Sequence, residues 1–216
     1  QNGQSEYYNV EEYYRVRYTN TRMYLLNFER TMEEIFRGEN DSISENSILL
    51  GIRSKDVEYQ TNESGKVVTF VQEGELWSYN QEANTLAKVF SFRGYEGVDD
   101  RENYGEHDIK IVNIDEAGSI DYIVYGYMNR GIHEGTVGIA VYHYDSLANT
   151  NEEQVFIPSS QSYEVMKSEL GQLMYVTESG AFYIMVDGNV YGIDLNSLDT
   201  KVLVEGLSDE AVAISE

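Results

Sequence analysis

Trp77-Ser78-Tyr79-Asn80 is one of four places where an aromatic residue leads a short segment that closes on Asn or Asp. The others are Tyr24-Leu25-Leu26-Asn27, Tyr142-His143-Tyr144-Asp145 and Tyr191-Gly192-Ile193-Asp194, and the steps between leading aromatics are 53, 65 and 49 residues. A polar stretch follows each copy, and then an apolar pair: Ile35-Phe36, Val89-Phe90, Val155-Phe156 and Val202-Leu203. The pattern predicts a strand, a turn opened by Asn or Asp, and a second strand. The fixed place of Asn or Asp has a mechanism, because its side chain can bond the backbone just downstream.

The repeat extends upstream. Glu63-Ser64-Gly65, Glu116-Ala117-Gly118 and Glu178-Ser179-Gly180 are turn signals in step with it. Each is preceded by a short strand pattern: Val57 to Gln60, Ile109 to Ile114, Leu173 to Val176. Each is followed by another, Val67 to Val71, Ile120 to Tyr125 or Ala181 to Val186, and then by Glu73-Gly74, Glu134-Gly135 or Asp187-Gly188. One unit is therefore four short antiparallel strands in roughly 50 residues, the content of a β-propeller blade. The predicted class is all-β, with blade units at about 10–37, 55–92, 108–158 and 172–205. The first copy is expected to hold only the last three strands. Residues 209–216 read as a lone strand that starts a further blade or closes the ring. Two arrangements fit: an arc of a larger propeller, or a small ring closed by that strand or by self-association. A meander with accidental similarity is the plainer reading, and the turn signals in step argue against it. Ser162 to Leu170, with Gly171 behind it, predicts a helical turn or two between blades, and the Ser/Asn-rich residues 37–55 an inter-blade loop.

Composition agrees with β structure and narrows the partners. The 216 residues include 19 Tyr and a single Pro. Tyr suits a half-buried strand face, with its ring packed and its hydroxyl reaching water or backbone. Lys+Arg is 15 against 38 Asp+Glu, a net charge of −23, which repels phosphate backbones and anionic lipids. Nucleic acid and direct membrane binding are thus poor expectations. There is no Cys, so disulfides, thiolate zinc sites and cysteine nucleophiles are excluded. No run approaches the ~18 apolar residues of a membrane span, and the residues after Gln1 show no signal-peptide pattern.

Two segments carry candidate chemistry. Asp99, Asp100, Glu102, Glu106 and Asp108 cluster between two blades, with Gly94, Gly97 and Gly105 among them. Calcium needs six to eight oxygens, which such a cluster can supply, although the spacing is not that of an EF-hand. A solvated loop is the alternative in so acidic a chain, and no other cofactor is expected. The second segment runs from Gly126 to Gly135. The second and fourth units turn there in a few residues, whereas this one inserts Tyr127, Met128, Asn129, Arg130, His133 and Glu134. Loops on a rigid scaffold carry function, so Tyr127, Asn129, Arg130, His133 and Glu134 are the candidate partner-binding residues; the insertion could instead cap a neighbouring blade. His107, His133 and His143 sit on separate elements, and their spacing matches no zinc motif. There is no Gly-x-Ser-x-Gly elbow, phosphate loop or dinucleotide fingerprint.

Phe92-Arg93-Gly94-Tyr95 through His107-Asp108-Ile109-Lys110, Asp115 through Asp121, and Tyr125-Gly126-Tyr127 through Glu134-Gly135 resemble TolB-like propeller repeats of uncharacterised clostridial cell-envelope proteins. The resemblance implies a longer parent chain, membrane-anchored and placed outside the cytoplasm, and it brings no catalytic residues. The reading that follows is a non-catalytic recognition or scaffold domain. Its partner is expected to be a protein, a peptide or a glycan, with homo-oligomerisation open. The rival is a glycan-acting enzyme domain that needs an inward carboxylate pair.

Overall fold

The computed structural model describes residues 8–34, 43–44, 47–48, 57–94, 100–170, 174–177, 180–195 and 197–207. The chain divides into two compact units, Gln1–Val57 and Glu58–Glu216.

In the first unit, β1 (Tyr8–Tyr18) and β2 (Met23–Glu34) form a two-stranded antiparallel hairpin, and β3 (Ile43–Ser44) pairs with β4 (Ser47–Ile48). The hairpin corrects one expectation. Asn27 opens no turn; β2 runs through it, so among the described residues this copy holds two strands where three were expected. The Asn27 amide instead donates to Glu29 Oε1 at 2.7 Å. The physical reason lies downstream. Phe28 packs on Tyr14 and Arg30 pairs with Glu12 across the ladder, and no Gly or second Asn follows to take a reversed backbone. Ile35-Phe36 and most of residues 37–55 lie outside the described residues, as do 208–216 and with them the expected last strand.

The second unit is three four-stranded antiparallel sheets, each paired in chain order. The first is β5 (Tyr59–Thr61), β6 (Val67–Gln72), β7 (Glu75–Asn80) and β8 (Thr85–Phe90). The middle one is β9 (His107–Ile114), β10 (Ile120–Tyr127), β11 (Val137–Asp145) and β12 (Thr150–Pro158). The last is β13 (Met174–Val176), β14 (Ala181–Val186), β15 (Asn189–Asp194) and β16 (Thr200–Val204). Helix α1 (Tyr163–Leu170) links the middle and last sheets.

Alternation along the strands builds two cores. Ile120, Tyr122 and Val124 of β10 face Leu76, Val89 and Phe90 of the first sheet. Ile123 faces the other way, and with Ile139, Val141 and Ile157 it meets Phe182, Ile184 and Ile193 of the last sheet and Met166 and Leu170 of α1. The middle sheet is thus buried on both faces, which is why Tyr122-Ile123-Val124 reads as an unbroken apolar run. Each such side chain taken from water contributes about 1.5–3 kcal/mol. Among the described residues, no buried cluster joins the first sheet to the last. The three sheets form an open, propeller-like arc of blades.

The repeated Asn/Asp does what its position predicts in all three sheets. Asn80 Oδ1 accepts from Ala83 N at 2.9 Å, Asp145 Oδ1 from Leu147 N and Ala148 N at 2.8 and 2.9 Å, and Asp194 Oδ1 from Ser197 N at 3.2 Å. The Glu73-Gly74 and Asp187-Gly188 turns have positive φ at both residues, the reversal that a two-residue hairpin requires. The leading aromatic Trp77 is 5% exposed.

Candidate functional site

The middle sheet has two unlike ends. At one end its strands reverse in tight turns, at 115–119 and 146–149. At the other converge the incoming segment 100–106, the β10–β11 connection at 128–136 and the outgoing segment that carries α1. At this elaborated end Glu102 and Glu106 of the acidic set meet Arg130 and Tyr127 of the insertion.

Arg130 reaches out of the connection to Glu102, with an N–O distance of 2.6 Å, and Arg101 pairs back to Glu134. The Asn129 amide donates to the Tyr104 carbonyl at 2.8 Å, and Tyr127 N donates to the Glu106 carbonyl at 2.7 Å. Tyr104 stands edge-on to Tyr127, with centroids 4.9 Å apart. Gly126 lets the strands meet here: at φ +110°, a Cβ on it would lie 2.4 Å from the Glu106 carbonyl oxygen. His133 stacks on Phe156 of β12 at 3.6 Å, and its Nε2 lies 2.7 Å from Glu153 Oε1. The insertion is therefore braced on the loop before its own sheet and on its own outer strand. Asn129, 1% exposed, is an internal strut. Tyr104 keeps 43% of its surface in solvent, and Ile132 crowns the tip.

The carboxylates of the proposed calcium cluster go separate ways. Glu102 takes Arg130, and Glu106 accepts from the Tyr104 hydroxyl, holding that phenol above its ordinary pKa. Asp108 lies on β9 and not in the loop; its Oδ2 accepts from Tyr163 at 2.8 Å and from Lys167 Nζ at 2.7 Å. Asp100 is in a 3-10 turn at Asp100–Asn103, and Asp99 lies outside the described residues. Among the described residues, no group of three His, Asp or Glu side chains could hold a metal ion. The three histidines do not converge either: His107 contacts the Gly74 carbonyl, His133 Glu153 and His143 Asp121. His107 opens β9 and is buried.

Sequence reasoning missed Arg101, Tyr104, Tyr163 and Lys167. The last two had a signal, since residues four apart on a helix share a face; here that face turns to Asp108. Lys167 is held strongly cationic, first by Asp108 and then by the Tyr163 hydroxyl. Burial raises the pKa of Tyr125 and Tyr163, so neither phenol is activated as a nucleophile.

No family model matches the chain, and no curated protein matches it. Solved structures similar to it include an oligogalacturonate lyase in complex with manganese, with 10% identity, 65% of this chain and 33% of that one covered, and a TM-score of 0.40. The extracellular domain of a putative one-component system from B. thetaiotaomicron is similar at 13% identity, with 73% and 18% covered and a TM-score of 0.39. Porphyromonas gingivalis dipeptidyl peptidase 4 is similar at 6% identity, with 91% and 32% covered and a TM-score of 0.38. The chain spans about a third or less of the length of these structures. Among the described residues, no helix is long and apolar enough to cross a membrane.

Proposed function

We propose that this chain is a non-catalytic recognition domain of a larger extracytoplasmic protein of a bacterial cell envelope, and that it binds a protein, peptide or glycan at the elaborated end of the middle sheet. The asymmetry of that sheet carries the reading. One end reverses in turns of five and four residues (115–119 and 146–149), while the other spends a 3-10 turn, a nine-residue connection (128–136) and a helix on a braced surface. The surface presents Tyr104 beside Tyr127, with Ile132 at its rim. Amphipathic aromatics on a rigid support suit both peptide and sugar contacts. Glu102, Asp108 and Glu134 are each occupied by a basic partner, which favours recognition over the free acid and base of a glycosidase.

The test is capture from a native envelope extract and a glycan array, comparing wild type with Tyr104→Ala and Ile132→Asp. Ile132 is 87% exposed, so Ile132→Asp should melt like wild type, and Tyr104→Ala should lose no more stability than its edge contact with Tyr127 gives. Loss of the captured partner in Ile132→Asp with unchanged melting supports the reading; a partner retained by both variants overturns it.

A further inference from the structure

The last sheet carries a face that its two predecessors keep covered. Ladder register places Tyr183 beside Gly192 and Gly192 beside Lys201. In the first sheet the same steps from the tight turn place Thr69 beside Ser78 and Ser78 beside Ala87. There Thr69 and Ser78 are buried, and Ala87 packs on the core shared with the middle sheet. In the last sheet the corresponding side is open: Tyr183 is 36%, Leu203 52% and Val204 44% exposed. Gly192 has no side chain to fill the gap, and a Cβ there would lie 3.0 Å from Leu203 and 3.5 Å from Tyr183. The result is a hollow of about 210 Å³ between Tyr183 and Leu203, edged by Asp194, Asp199 and Lys201. The opposite face of the first sheet is not available in the same way, because Phe70, Trp77 and Tyr79 are already buried.

We infer that the open face of β14–β16 is a dimer interface whose occupant is the same face of a second copy of this chain. Two observations favour a copy over a foreign partner. The face continues the interface by which each earlier sheet covers the next, so a sheet is the shape it fits. Its charges are also self-complementary. Lys201 has no ion-pair partner among the described residues, and it stands on a rim with Asp194 and Asp199. If Lys201 of one copy pairs with Asp199 of the other, a two-fold axis repeats the pair in reverse, as an isologous contact does. The cation offsets one of the two acids, which lessens at this patch the repulsion expected at −23.

Sedimentation equilibrium of the 216-residue chain tests this. Wild type should show a reversible monomer–dimer equilibrium, and Leu203→Glu should weaken it at least about tenfold, the equivalent of about 1.4 kcal/mol. Lys201→Glu alone should weaken it, and Asp199→Lys added to Lys201→Glu should restore it, because the swap returns opposite charges to each other. Lys201 is exposed, so this pair carries the test even if Leu203→Glu loses its near-UV signal. A wild-type chain that stays monomeric up to its solubility limit overturns the inference. So does a dimer indifferent to Leu203→Glu, or a charge swap that fails to restore association.

Discussion

The Tyr144 hydroxyl donates to Asn149 Oδ1 at 2.9 Å, and the first sheet repeats the bond between Tyr79 and Asn84 at 3.1 Å. Each Asn sits at positive φ in the turn after the repeated Asn/Asp segment. Asn tolerates that backbone, and the tyrosine two residues past the leading aromatic locks it. The last sheet has lost the device. Ile193 stands in the tyrosine's place, and Leu198, at φ 64°, in the asparagine's. A leucine held there costs about 1–2 kcal/mol. Leu198→Asn should therefore stabilise the chain by about 1 kcal/mol, or about 2–4 °C in melting temperature for a chain of this size. Tyr144→Phe should cost about 0.5–1.5 kcal/mol by removing the clamp. A scanning-calorimetry series on the two variants decides both signs.

Trp77 supplies a second expectation. It shares its slot with Tyr142 and Tyr191, lies across the ladder from Phe70, and has Lys88 Nζ 5.3 Å from its ring centroid. Buried and repeated, it has a packing role. Trp77→Ala should cost about 3–5 kcal/mol in urea unfolding, and melting at the wild-type temperature would falsify the role.

His107 should make stability depend on pH near neutrality. Its ring is edge-on to Phe92 at 4.8 Å, with Nε2 3.4 Å from the Gly74 carbonyl. Burial lowers its pKa, against the opposing pull of the Gly74 carbonyl and Asp108. The folded state therefore binds this proton less readily than the unfolded chain. The stability it confers is complete above the unfolded value of about 6.5 and declines as pH falls from there through the folded pKa. His107→Gln should flatten that part of the pH profile. The check is the difference in urea midpoint between about pH 7.5 and about pH 5.5, measured in both proteins; equal slopes would discard the assignment.

What sequence could show was set by the range of the interaction. The Asx turns at Asn80, Asp145 and Asp194 and the two-residue reversals at Glu73-Gly74 and Asp187-Gly188 are local, and all five were legible. Asn27 misled because the same side chain is also compatible with a strand, and only cross-strand partners such as Glu12 and Tyr14 decide between the two. At the candidate site the insertion after Tyr127 was visible as a break in the repeat. Its attachment was not, since Arg130 and Glu102 are 28 residues apart and no periodicity links them. The acids of the calcium expectation show the same limit: the partners of Glu102 and Asp108, Arg130 and Lys167, lie 28 and 59 residues away along the chain.

The Arg130–Glu102 pair is the brace whose removal most directly tests that picture. The Glu102 side chain is 8% exposed and Arg130 36%, with 2.6 Å between charged atoms. Removing a buried charge's partner costs about 3–5 kcal/mol, and the partial exposure of Arg130 reduces this to about 1–3 kcal/mol by admitting water to the orphaned carboxylate. Arg130→Ala should destabilise the chain by that amount, because Glu102 would be left buried without its partner. Glu102→Gln in the Arg130→Ala background should recover part of the loss, since the amide has no charge left to solvate. A double-mutant cycle on thermal unfolding measures the coupling. Simple additivity would mean that the two side chains do not hold each other, and that the connection at 128–136 is carried by its other braces, Asn129 on Tyr104, Glu134 on Arg101 and His133 on Phe156.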